Sequence, residues 1–173
     1  FGAGVVGTTL IPVTQTGTYP TPIAATVLEF VSDDAGDNPS GAGAREVTVQ
    51  GLDANWAEVI QSVATNGTTA VELPTPLKRM YRWYVSLSGT YANDSTGSHI
   101  GALSIQESGG GTVWDIIPDT PFPAGQSQIG VYTVPKGKTA YLLGKTVFVD
   151  AALVADVFFF QRPHADDTSS PYS

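Results

Sequence analysis

The dipeptide Asn66-Gly67, set between runs rich in β-branched and apolar residues, constrains the fold more than any other feature of the chain. A two-residue type I′ turn needs positive φ at both central positions, and Asn-Gly meets that need best. Upstream, Val47 and Val49 fall on one side of an extended segment and Glu46, Thr48 and Gln50 on the other, the period of a half-buried strand. The pattern predicts a turn over 52 to 55, a second strand over 56 to 65 and, after the Asn-Gly turn, a third over 68 to 73. Beyond Pro74 and Pro76, residues 77 to 88 read as a long strand with Tyr81, Trp83, Val85 and Leu87 on one apolar face. Residues 53 to 65 also place Trp56, Val59, Ile60 and Val63 at helical spacing behind a possible Asp53 cap. The Asn-Gly turn that follows and the flanking Thr-rich segments favour the extended reading.

The same punctuation recurs along the chain. Further strands are expected over 25 to 31, 99 to 106, 112 to 117, 127 to 134 (Ile129 and Val131 on one face), 139 to 149 and 152 to 161. Gly109-Gly110-Gly111 and Pro135-Lys136-Gly137 mark turns between them. Nine or ten short strands at this spacing, without a convincing helix, predict an all-β antiparallel fold, a sandwich or a barrel, over residues 25 to 162. The run Val157-Phe158-Phe159-Phe160 is apolar on both faces, so Phe158 and Phe160 are expected to meet a second layer. Residues 1 to 24 contain no charged side chain but do contain Val5, Val6, Leu10, Ile11, Val13 and Tyr19. They predict an extended N-terminal arm lying on an apolar surface, of its own domain, a neighbouring subunit or a larger body. These six residues, with Phe158 and Phe160, are the expected subunit or shell interface. Residues 163 to 173 form a polar C-terminal tail.

Composition limits the function classes. The formal net charge is −8, yet only 14% of the 173 residues are charged, fewer than a freely diffusing monomer ordinarily carries. Eight basic residues leave little for a phosphate backbone, so no nucleic-acid partner is expected. Arg45, Lys78, Arg79 and Arg82 read as rim charge. No cysteine is present, which removes disulfides and thiolate chemistry and suits folding in a reducing cytosol. No run of 18 apolar residues is present, so no membrane helix is expected. The first residues lack a basic stretch of the signal-peptide kind.

No set of residues converges on catalysis. His164 lies in the polar tail, and Gly97-Ser98-His99-Ile100-Gly101 lacks the spacing of a nucleophile elbow. Asp33, Asp34, Asp37 and Asn38 offer oxygen ligands in a loop but match no calcium-loop spacing, and Asp-Asn-Pro-Ser-Gly is ordinary turn chemistry. The carboxylates of Glu46, Glu58, Glu72, Glu107 and Asp115 are scattered along strands rather than paired. Trp56, Trp83 and Trp114 could build a sugar-stacking platform or serve as core. No enzymatic activity, cofactor or metal is expected.

Two longer strings carry a resemblance. Ala44-Arg45-Glu46-Val47-Thr48-Val49-Gln50-Gly51-Leu52-Asp53-Ala54-Asn55-Trp56 is followed by Glu58-Val59-Ile60 and Asn66-Gly67-Thr68-Thr69-Ala70-Val71, and Tyr132 to Leu142 reads YTVPKGKTAYL. Over residues 25 to 145 the chain resembles small virion structural proteins of tailed bacteriophages, of the capsid decoration, cement or head-fibre type. The resemblance implies a jelly-roll sandwich, a homotrimer, the major capsid protein as partner, and a place on the outer surface of the capsid after assembly in the host cytoplasm. It supplies no catalytic residues. A receptor- or carbohydrate-binding fibre module is the alternative, with loops 89 to 98 and 118 to 126 carrying recognition.

Overall fold

The computed structural model describes residues 14, 16, 19–91, 97–119, 125–144, 157, 159–165, 167 and 169. Among them seven strands form: β1 (Leu28–Ser32), β2 (Ala44–Leu52), β3 (Glu58–Ala64), β4 (Val71–Glu72), β5 (Arg79–Ser88), β6 (Leu103–Glu107) and β7 (Val113–Ile117). They pair antiparallel throughout, in a four-stranded sheet β4-β1-β6-β7 and a three-stranded sheet β3-β2-β5. No helix occurs among the described residues. Residues 58 to 64 are extended, as the strand reading required. The fold is an all-β sandwich.

The alternation in β2 drives the packing. Val47 and Val49 are fully buried and pair with Val63 and Gln61 on β3 and with Val85 and Trp83 on β5. Leu28 and Phe30 of β1, Leu103 and Ile105 of β6, and Ile117 of β7 face them from the other sheet in one apolar cluster. Phe30 meets Trp83 edge to face across the interior, with centroids 6.4 Å apart, an arrangement that adds to the burial of both rings. The β6–β7 register steps from Ile105↔Asp115 to Gln106↔Val113, leaving Trp114 as a bulge. The bulge interrupts the in–out alternation, so Trp114 and Asp115 are both buried although they are neighbours.

Asn66-Gly67 does not make the expected hairpin. β3 and β4 belong to different sheets, so the turn carries the chain across the sandwich. Only Gly67 has positive φ, at +58°; Asn66 does not. The Gly67 N–H donates to Asp37 O at 2.7 Å, and Gly67 O accepts from Ser32 N at 3.2 Å. Two links to loop 32–37 therefore fix its backbone. A Cβ at this position would come within 3.0 Å of the Ala35 Cα as well as enter the left-handed region. Gly67→Ala is expected to lower stability by about 1–2 kcal/mol in denaturant unfolding; an unchanged midpoint would contradict the assigned backbone.

Among the described residues the consecutive strands that pair as hairpins are β2–β3 and β6–β7 instead. Asp53 Oδ1 accepts from the N–H of Asn55 and of Ala57, and Trp56 takes φ +64°, where glycine is usual. Residues 129 to 134 keep the alternating exposure of a strand, but the run 127 to 134 forms no ladder among the described residues. Among the described residues their backbone pairs with β5 only at its start, through the Gln126↔Tyr84 bridge, Val85 N to Gly125 O at 2.7 Å and Ser127 N to Trp83 O at 2.9 Å, while further on Tyr132 meets Tyr81 of β5 edge to face at 5.2 Å. Residues 139 to 144 form no strand either. The rest of the two final expected strands lies largely outside the described residues.

Candidate interaction surface

Loop 33–43 is organised by Asp37, whose side chain is completely buried. Oδ1 accepts from Ala44 N at 2.7 Å and Ile100 N at 3.0 Å; Oδ2 accepts from Ser32 Oγ at 2.7 Å and Gly101 N at 2.9 Å. Four donors from three separate segments saturate both oxygens. Asp34 and Asp33 are likewise engaged by backbone, Oδ1 of the first accepting from Gly36 N and Oδ1 of the second from Ala102 N. The acidic loop is thus a staple between β1, β2 and the segment before β6. Among the described residues no three His, Asp or Glu side chains gather as metal ligands do.

His99 is buried, with Nδ1 2.8 Å from Ser98 Oγ and Nε2 3.1 Å from Pro118 O. The backbone carbonyl can only accept, so Nε2 carries the proton and Nδ1 accepts from the serine. Burial lowers its pKa, partly opposed by the bond to Pro118 O. The ring is occupied on both nitrogens in holding two loops together. Glu29 plays a similar part on the other sheet. It accepts from Gln106 Nε2 at 2.7 Å and from the N–H groups of Gly109 and Gly110, which together hold its carboxyl below the usual range against the effect of burial.

The tryptophan platform does not form, because Trp83 and Trp114 are core residues. Trp56 is half-buried, and Lys78 Nζ and the Arg79 guanidinium lie 4.6 Å and 5.1 Å from its ring centre. Arg79 is not rim charge as expected: it is 3% exposed and donates to Pro22 O at 3.0 Å, Lys78 O at 2.7 Å and Ala165 O at 2.7 Å. One guanidinium therefore holds the end of the arm and the start of the tail against β5. Arg82 does remain exposed, over the Tyr84 ring.

Tyr19, expected at an interface, packs on its own domain. Its hydroxyl donates to Met80 O at 2.6 Å and accepts from Met80 N at 2.9 Å, and burial pushes its pKa up to about 12. Thr16 Oγ1 reaches Trp114 O at 3.2 Å. The described part of the arm therefore lies along β5 and β7 of the same chain. Val5, Val6, Leu10, Ile11, Val13 and Phe158 lie outside the described residues. Phe160 is 60% exposed.

The largest apolar exposure was not foreseen. Tyr141 is 81%, Leu142 71% and Leu143 97% exposed, and Tyr132 and Val134 also face outward. The sequence predicts a strand over this stretch and does not say which of its faces is covered; the signal available is its position after a turn with lysines on both sides of Gly137. Runs of exposed large apolar residues mark contact sites on soluble proteins. The arrangement offers surface for association. No family model, no curated protein and no solved structure matches the chain.

Proposed function

We propose that this chain is a structural protein of a virus particle, a capsid decoration or cement protein that binds the outer face of the head shell as a homo-oligomer and bridges neighbouring shell subunits. The observation that carries the reading is the exposed apolar run Tyr141-Leu142-Leu143 on a chain with 14% charged residues. Such a surface is at odds with a solitary soluble domain and in keeping with one covered after assembly. The phage-like strings over residues 44 to 71 and 132 to 142 supply the virion context. A jelly roll has eight strands in two sheets of four. Seven strands are described, and the short pairing of residues 125 to 127 with β5 is compatible with an eighth on the three-stranded sheet.

Antibodies against the purified chain, applied to intact particles of the encoding virus and viewed by electron microscopy, test the assignment. Label distributed over the head is the expected result. Label confined to the tail or its fibres would overturn it in favour of a fibre module, and no label on particles would remove the virion reading altogether.

A further inference from the structure

We propose that residues 128 to 144 are an intermolecular β-hairpin, which docks on a second copy of this chain through its unpaired backbone and its exposed apolar side chains. The inference deepens the oligomeric part of the proposed function by naming the surface.

Three independent observations converge here. First, the turn of the hairpin is formed while its arms are not paired. Lys138 N donates to Pro135 O at 3.1 Å, Gly137 takes φ +75°, and Lys136 N donates to Trp56 O at 2.9 Å. Yet neither arm enters a ladder among the described residues. Backbone N–H and C=O groups in strand-like segments are a template for another strand. Second, the size is right. Tyr132, Val134, Tyr141, Leu142 and Leu143 together expose on the order of 700 Å², close to the roughly 800 Å² that each partner gives to a standard interface. Third, the charges complement the same chain. Residues 125 to 144 carry Lys136 and Lys138 and no carboxylate, whereas residues 25 to 119 carry twelve carboxylates and four basic side chains. A second copy thus presents an acidic body to a basic, apolar hairpin. Opposite potentials of this kind orient the encounter and select the register.

The test uses the full chain. Sedimentation equilibrium and light scattering over a dilution series are expected to show a stable oligomer. Leu143→Asp should weaken it at least tenfold, while the near-ultraviolet circular dichroism of the dissociated protein stays unchanged. The absence of cysteine makes Leu143→Cys a single attachment point for a spin label, which reads the same surface should the aspartate variant misfold. The label is expected to be immobilised in the oligomer and mobile on dilution. A wild-type chain that stays monomeric, an oligomer indifferent to Leu143→Asp, or a label mobile at every concentration would each overturn the proposal. A label immobilised only on addition of capsid shells would overturn it too, assigning the surface to the shell instead. An oligomer that behaves as expected but does not bind shells would leave the hairpin assignment standing and refute the decoration reading.

Discussion

Asp37→Ala is expected to be the most damaging single substitution in the described body, lowering unfolding free energy by about 4 kcal/mol or more. The alanine leaves the N–H groups of Ala44, Ile100 and Gly101 and the hydroxyl of Ser32 without their acceptor. Each buried donor left unsatisfied costs roughly 1–3 kcal/mol, although Ser32 can rotate its hydroxyl toward another acceptor. A domain of this size has only about 5–15 kcal/mol in reserve, so the loss removes a large share of it. Asp37→Asn separates shape from acceptor count. It keeps the volume, but its amide nitrogen faces two donors where an oxygen accepted them, so it should fall between alanine and wild type. Urea unfolding followed by tryptophan fluorescence is the measurement, because Trp83 reports on the core directly. A loss below about 1 kcal/mol for Asp37→Ala would show that the loop is not stapled through this carboxylate.

Asp115→Asn should act in the opposite direction. Asp115 is fully buried; Oδ2 accepts from Trp83 Nε1 at 2.7 Å, and Oδ1 has no hydrogen-bond partner. Burial raises its pKa from 3.8 to about 6, against the lowering effect of the Trp83 bond. The folded chain therefore holds the proton more tightly than the unfolded chain. Its contribution to stability is complete below the unfolded value of 3.8 and is lost as pH rises through about 6. The gap between the two values corresponds to about 3 kcal/mol. Asparagine can keep the bond to Trp83 without a charge. The variant should gain up to about 3 kcal/mol over wild type at neutral pH and almost nothing at pH near 4. Chemical denaturation at the two pH values decides it; an equal gain at both would show that the carboxyl does not titrate in this window.

How far these features can be read from sequence depends on the range over which each is determined. Val47 and Val49 were legible because alternation is a local property of the backbone, and both end in the core. Rejection of a helix over 53 to 65 rested on local turn chemistry and agrees with β3. Asn66-Gly67 was misread because its local signal says only that positive φ is available. What uses it is the crossing between sheets and the bonds to Asp37 and Ser32, which are distant in sequence. The same limit hid the staple. Asp37 looks like any loop aspartate until Ile100 and Gly101 are brought to it across more than sixty residues. Arg79 illustrates a third case. Charge and strand position suggested a rim residue, and only the return of Pro22 and Ala165 gives its guanidinium acceptors enough to be buried. Of the expected interface residues, Tyr19 is used internally, Phe160 is exposed, and the other six lie outside the described residues; the exposure at Tyr141 to Leu143 has no local signal, because strand propensity does not say which face is covered.

The clasp at Arg79 also dictates how mechanical load would travel through the sandwich. Residues 22 and 165 are gripped by one side chain, so a pull applied through the two flanking segments enters and leaves at the same pole. Such a load tests first the bonds of Thr16 and Tyr19 on the amino-terminal side and the two carbonyl contacts of a single guanidinium, and after them peels the edge of the body pair by pair. It does not slide whole strands past one another. The staple around Asp37 sits at the far end of β2, which spans nine residues, about 30 Å away. It is therefore the last part to feel the tension, and the clasp yields before the core does.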